Sequence, residues 1–399
     1  MAELNFKRTK LACYSAYFTM SSVFCLPPLL FVTFHNLYGV SWTLLGTLVS
    51  VNFITQLAID LVFTFFSKKF NIEKVVKVMP LITSLGLFVY ALSPVIFPQN
   101  IYIGLLIGTV LFSVSAGLSE VLLSPIIAAI PSKNAQGDMS FLHALYAFGV
   151  FSVVVIGSIF IKIFGSQNWM YLTAFFAVLP IIASVLFATS PIPQMSTAET
   201  SAKVEKTKKR YIGIALCVAC IFFGSCAENV MSNWISSYME AQLGVDKAVG
   251  DILGMAVFAI LLGITRITYA KRGKNINKML LVGMVGAAAC YLVAGLSQSS
   301  AAAFVACILT GAFTAMLWPG SLIMMEENIP CASVTLYALM AAGGDFGASV
   351  APQLMGIVAD EMSLKTGMLV SSVFPIAGAV IMLVIIRFFK KNNLNKTEE

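Results

Sequence analysis

The sequence predicts an all-α membrane protein of twelve transmembrane helices, folded as two parallel-repeat six-helix bundles. Three observations predict it: an apolar composition, apolar runs of spanning length, and basic residues confined to alternate loops. Of the 399 residues, 59% are hydrophobic and 11% are charged, and the mean hydropathy is +0.90. Soluble domains carry about 25% charged residues, so this chain has too little polar surface to cover a water-facing core. Its apolar runs reach the ~20 residues that cross a hydrocarbon layer. The short alternating segments of a membrane barrel are absent.

In chain order the apolar runs place helices at 10–34, 42–66, 76–97, 101–130, 139–164 and 170–189, then at 211–239, 249–269, 279–297, 301–328, 333–358 and 367–389. Asn36–Gly39 forms the turn between helices 1 and 2, and the Pro-containing stretch 93–100 separates helices 3 and 4. The most hydrophilic gap is 190–210, at the midpoint. It divides the chain into an N-terminal bundle (1–189), a linker (190–210) and a C-terminal bundle (211–399). The first ten residues are charged and lead straight into helix 1 with no small-residue cleavage site, so no removable signal is expected.

Loop charge sets the orientation. With the N-terminus in the cytoplasm, the cytoplasmic segments hold 21 of the 25 Lys and Arg residues and the outer loops hold three: Lys162, Lys247 and Lys365. Positive residues collect on the cytoplasmic side of membrane proteins. Both termini therefore read as cytoplasmic, in a cell (inner or plasma) membrane. The net charge of +7 faces anionic lipid, and no nucleic-acid partner is implied. Most of the eight cysteines lie in apolar runs and read as packing residues. Cys217 and Cys220 have CxxC spacing but no second pair or nearby His, so no metal or other cofactor is expected.

An internal repeat is visible. Leu142–Gly149 in helix 5 and Leu336–Gly343 in helix 11 share the pattern L-x-A-L-x-A-x-G, and each follows an Ile-Pro pair. Two halves that both start on one side are parallel repeats, an arrangement that places a solute site near the midplane.

These features resemble the major facilitator superfamily along the whole chain. Residues 65–70, FFSKKF, resemble a degenerate form of its signature loop after helix 2. Gly263–Arg266 is similar to the helix-8 element of sugar-type members. Glu228, Trp234 and Tyr238 in helix 7, with Glu120 in helix 4, resemble the pattern of the fucose–proton symporter family. That family's coupling Asp in helix 1 has no counterpart, because no acidic residue lies between Lys10 and Phe34. The resemblance implies a secondary transporter rather than an enzyme, with a helix-4 carboxylate in proton coupling.

Ionisable groups within membrane helices face the bundle interior or a water-filled path, so each is a candidate. Glu120 lies ten residues before the end of helix 4, ~15 Å deep at 1.5 Å per residue, where a carboxyl suits a proton carrier or only packs the helix. Asn52, Gln56 and Asp60 share one face of helix 2, and Asp345, Ser349 and Gln353 share one face of helix 11. These stripes line a solute path, with Asn52 and Gln56 as contacts and Asp345 in coupling, or they form a gating seam. Glu228, Asn229 and Asn233, with Trp234 beside them, offer the donors, acceptors and ring face that a sugar or polyol requires. Arg266 is the one basic residue inside a span. It either snorkels or takes a counter-charge, for which Asp60, Asp345 and His143 are the candidates. His143 itself is a relay or a capping residue. Pro27-Pro28 and Trp318-Pro319 mark bends.

The expected function is proton-coupled movement of a small polar solute by a monomer in the bilayer. A carboxylate beside hydroxyls and freed carbonyls also suits sodium. The alternative is a proton-driven antiporter exporting amphipathic compounds. The sequence has no HExxH, GxSxG or P-loop, which argues against an enzyme or an ATP-driven pump.

Overall fold

The computed structural model describes residues 6–66, 69–132, 135–193, 208–272, 275–329 and 334–392. The fold is all-α, a twelve-helix membrane protein. Eight of the described helices are long and apolar enough to cross a membrane, and the bent helix 1 makes a ninth. Helices 3, 5 and 11, at Ile72–Ala91, Ala135–Phe164 and Val334–Glu361, complete the twelve. The chain forms two compact units. One holds Met1–Val40 and Val51–Ala198, the other Ser41–Ser50 and Glu199–Glu399. Helix 2 runs unbroken as Trp42–Phe66, so its first turns belong to the second unit.

In the first unit, helix 1 spans Lys7–Leu29 and continues as Phe31–Tyr38 after a 44° bend. Pro27 and Pro28 withhold two backbone donors just before the break, which is where the sequence predicts it. Asn71 caps helix 3 by accepting from Lys74 N, and Asn100 caps helix 4, Ile101–Ala129, by accepting from Tyr102 N. Helix 6 is Trp169–Ala188.

Hydroxyls tie these helices together where no water competes. Thr83 donates to Ser115 at 2.7 Å, Ser84 to the Ala177 carbonyl at 2.6 Å and Ser184 to the Lys77 carbonyl at 2.8 Å. Helices 3 and 4 approach closely at Gly86, where an added Cβ would lie 2.6 Å from Phe112 N and 2.9 Å from the Gly108 carbonyl. Gly86→Val forces these backbones apart. Overpacking costs about 1–3 kcal/mol, and the expected result is a lower melting temperature and loss of the monodisperse species on size-exclusion chromatography.

At the end nearest the termini, Lys10 and Tyr14 of helix 1 meet Asp138 of helix 5. The Lys10 bond, then that from Ser132, holds the Asp138 carboxyl below its usual range. A depressed carboxylate stabilises the fold above its ordinary pKa and stops doing so as pH falls through the lowered value. This tie therefore persists at neutral and mildly acid pH.

In the second unit, helix 7 spans Lys208–Ser237 and ends in a π-helical turn, Tyr238–Gln242. Helix 8 starts at Lys247–Val249, passes through a π-helical stretch at Gly250–Ala256 and continues as Val257–Arg272. Helix 9 is Ile276–Leu296. Helix 10 is broken into Ser300–Thr314 and Leu317–Asn328, and helix 12 into Leu364–Ser371 and Val373–Asn392. The buried tyrosines Tyr238 and Tyr291 donate to the Ala294 and Ala227 carbonyls at 2.6 and 2.8 Å.

Candidate functional site

The second unit brings Arg266 to Glu228. Arg266 Nη2 lies 3.2 Å from Glu228 Oε1, and Arg266 Nε donates to the Ala315 carbonyl at 2.8 Å. The local sequence explains the second bond. In a regular helix the Ala315 carbonyl would accept from residue 319, but Pro319 has no N–H. Helix 10 breaks there, between Thr314 and Leu317, and the guanidinium takes the freed acceptor. One arginine thus joins helices 7, 8 and 10. Glu228 Oε2 is buried with no hydrogen-bond partner among the described residues.

Among the described residues the counter-charge is Glu228, which is not one of the three groups the sequence offers for it. The reason is azimuth: depth along a helix can be read from sequence, but not which face turns toward a neighbour. Asp345 is buried in the same unit. His143 lies outside the residues whose side chains are described.

Along helix 7, Asn229 donates to the Ser225 carbonyl at 3.1 Å and Asn233 to the Asn229 carbonyl at 2.8 Å. Trp234 departs from its expected place beside a solute. It is fully buried, its Nε1 donates to the Pro352 carbonyl at 3.1 Å, and its ring meets Trp42 edge-on at 5.9 Å. Its indole N–H is spent on helix 11, so in this conformation it is a packing residue.

Helix 11 does meet helix 2, but through Thr43 and Ser50 of its first turns. Ser50 donates to the Ser349 carbonyl at 2.6 Å and Gln353 Nε2 to the Thr43 carbonyl at 3.3 Å. Asn52 and Gln56 turn instead toward helix 4 within the first unit. Gln56 Nε2 and Ser113 Oγ both donate to Asn52 Oδ1, at 3.0 and 2.6 Å. Both amides are buried and engaged, so they form a helix 2–helix 4 seam and are not open solute contacts here. One turn on, Gly117 packs against Gln56 and Ile59, 3.2 Å from Gln56 Cα for an added Cβ. Glu120 follows on helix 4 and is exposed, while Leu118 and Ser119 before it are buried.

A second ionic cluster is barely signalled in the sequence. Lys247 Nζ lies 3.1 Å from Glu240 Oε2 and 3.4 Å from Asp251 Oδ2, and Ser236 donates to Asp251. Asp251 is 1% exposed. The cluster forms where helices 7 and 8 widen into π-helical turns, which periodicity does not reveal. Its one sequence signal is an acidic residue just inside the apolar run of helix 8.

A helical membrane protein with intramembrane ion pairs and Pro-broken helices has the build of a solute carrier, and comparison with known proteins gives its family. The profile of the Major Facilitator Superfamily matches residues 12–275, and the chain belongs to that family. It is a multi-pass membrane transporter and not an enzyme. No curated protein sequence matches it. Among solved structures, a bacterial homolog of the human lysosomal transporter Spinster, inward-facing and occupied, aligns with TM-score 0.79 at 13% identity over 98% of this chain and 99% of that one. A D-xylose–proton symporter aligns at 0.75 and 15% identity over 96% and 97%. The fucose:proton symporter of E. coli aligns at 0.62 and 14% identity over 96% and 99%. At these identities the likeness is one of fold.

Proposed function

We propose that this transporter carries a small, neutral, hydroxyl-rich solute, sugar-like in chemistry, in symport with protons. The observation that carries the solute reading is the Arg266–Glu228 pair. The two charges offset each other, so the site does not select an ionic solute by net charge. Glu228 keeps a buried acceptor oxygen with no partner among the described residues, which a solute hydroxyl would satisfy on binding. Asn229 and Asn233 add amides on the same helix, and both sugar–proton symporters named above share the fold.

Glu120 is the proton carrier in this reading. Lipid is a poor solvent for a carboxylate, so an exposed intramembrane Glu belongs on a water-filled path. The packing of helix 2 on helix 4 adds a partner. Asn52 meets Ser113 and Gln56 meets Gly117, both 61 residues apart. The same register carried on one turn sets Asp60 level with Val121, beside Glu120. Two carboxyls at one level share protons more readily than either alone, because like charges oppose double ionisation. Asp345 is the second candidate for coupling. The loop charges support cytoplasmic termini and a cell-membrane location.

The test is a thermal-shift screen of the purified protein against sugars, polyols, nucleosides, amino acids and cationic amphiphiles. A ligand that binds the folded state stabilises it by mass action, by about 2.7 kcal/mol at 100 times Kd, and so raises its melting temperature. The expected hits are neutral polyols or sugars, lost in Glu228→Gln. Hits confined to cationic amphiphiles would contradict the solute reading and support the antiporter.

A further inference from the structure

The far end of helix 11, opposite the chain termini, holds a carboxylate used in an unusual way. Asp360 accepts from two backbone amides of another helix: Trp42 N donates to Oδ1 at 2.8 Å and Thr43 N to Oδ2 at 2.7 Å. These are among the first N–H groups of helix 2, which have no intrahelical acceptor. They also stand at the positive end of a 25-residue helix dipole. Helix 2 has its own cap as well, because Ser41 Oγ accepts from Leu44 N at 3.2 Å. Helix 8, its counterpart in the repeat, is capped locally by Asp246, which accepts from Val249 N. Asp360 therefore adds a charged bond from a separate helix to an N-terminus that already has a local cap.

What this bond holds is the first part of helix 2. Residues Ser41–Ser50 cluster with the C-terminal unit, while the same helix belongs to the N-terminal unit from Val51 onward. Below Asp360 the contacts run between neutral groups: Gln353 to the Thr43 carbonyl, Ser50 to the Ser349 carbonyl, and Gly46 packed against Pro352, where an added Cβ would lie 2.9 Å from the carbonyl oxygen. A helix shared in this way cannot follow both units when they move, so one set of its contacts must be releasable.

We propose that Asp360 is a latch, a positioning residue whose carboxylate clasps the N-terminus of helix 2 and sets how long the first turns of that helix stay on helix 11. The clasp suits the task. Asp360 is exposed, so water replaces its two bonds when helix 2 departs, and nothing charged is stranded in lipid. Burial works to raise its pKa, but hydrogen bonds from Thr43, Trp42 and Ser41 outweigh that and hold the carboxyl below its usual range. The latch is thus ionised at neutral pH, and its release is mechanical. This inference needs only the transporter fold and does not depend on the identity of the solute or the coupling ion.

The test uses Ser50→Cys as a reporter in the full-length protein. Ser50 is buried at the seam, and the seven described cysteines are buried and free, so the parent protein serves as the blank. A membrane-impermeant maleimide is applied from the side opposite the termini. Combined with Ser50→Cys, Asp360→Asn keeps the shape and removes the charge. It is expected to raise the labelling rate about two- to tenfold, and Asp360→Glu to restore most of the slow rate. An unchanged rate in a folded Asp360→Asn protein overturns the latch. If Asp360→Asn does not fold, Thr43→Pro removes one of the two donors in the first helical turn, where proline is tolerated. Faster labelling there supports the latch, and an unchanged rate overturns it.

Discussion

Arg266→Met is expected to abolish transport and lower the melting temperature, and the loss of melting temperature is expected to shrink when Glu228→Gln is added. The arginine holds two groups that have no other described partner: the Glu228 carboxylate and the carbonyl that Pro319 frees at Ala315. Removing it leaves a carboxylate and a carbonyl unpaired inside the bundle. Breaking a buried pair by deleting one partner costs 3–5 kcal/mol, and an exposed pair is worth about 1 or less. Arg266 is 39% exposed and Glu228 19%, so a cost of about 2 kcal/mol is expected. Neutralising Glu228 as well removes the stranded charge, so the double variant melts above Arg266→Met, a coupling that a double-mutant cycle measures. Arg266→Lys recovers part of the stability, because one ammonium cannot match the separate Nε and Nη2 bonds. Strictly additive losses would show that the two residues act independently.

The second large effect concerns Glu120. Glu120→Gln is expected to eliminate uptake driven by a pH gradient while leaving counterflow of labelled solute near the wild-type rate. Counterflow exchanges solute for solute and needs no net proton movement, whereas concentrative uptake requires the carboxyl to load and release a proton in each cycle. Glutamine keeps the size and hydrogen bonding of the side chain and cannot titrate. Asp60→Asn tests the paired carboxyl. If the two share protons, it shifts the pH optimum of uptake in the wild-type Glu120 background. Loss of counterflow in Glu120→Gln would assign the residue to solute binding or to packing.

Much of the fold is legible in the sequence because membrane crossing imposes long apolar runs. The breaks at Pro27-Pro28 and before Trp318-Pro319 are legible too, because a missing N–H acts locally. The polar partners are a different matter. Spacing of four residues shows that Asn52 and Gln56 share a face, but not that the face meets Ser113 of helix 4 instead of helix 11. It places Arg266 within a few turns of several carboxylates, but the choice of Glu228 depends on how helices 7 and 8 are rotated. Trp234 stands one residue from Asn233 and so projects from a different part of the helix surface, into helix 11. The π-helical turns that gather Glu240, Lys247 and Asp251 leave no periodic signature. Asp360 reads as the start of a loop, since nothing local shows that it caps a helix more than 300 residues away in sequence.

Solute–proton symport is read directly from solute-elicited proton movement. Purified protein is reconstituted into liposomes containing a pH-sensitive dye, and a solute identified by thermal shift is added outside with no initial gradient. Symport is expected to acidify the lumen on addition of solute, an effect abolished by a protonophore and absent in Glu120→Gln. Entry of labelled solute with no change in lumenal pH would contradict proton coupling, and lumenal alkalinisation would show exchange of solute for protons.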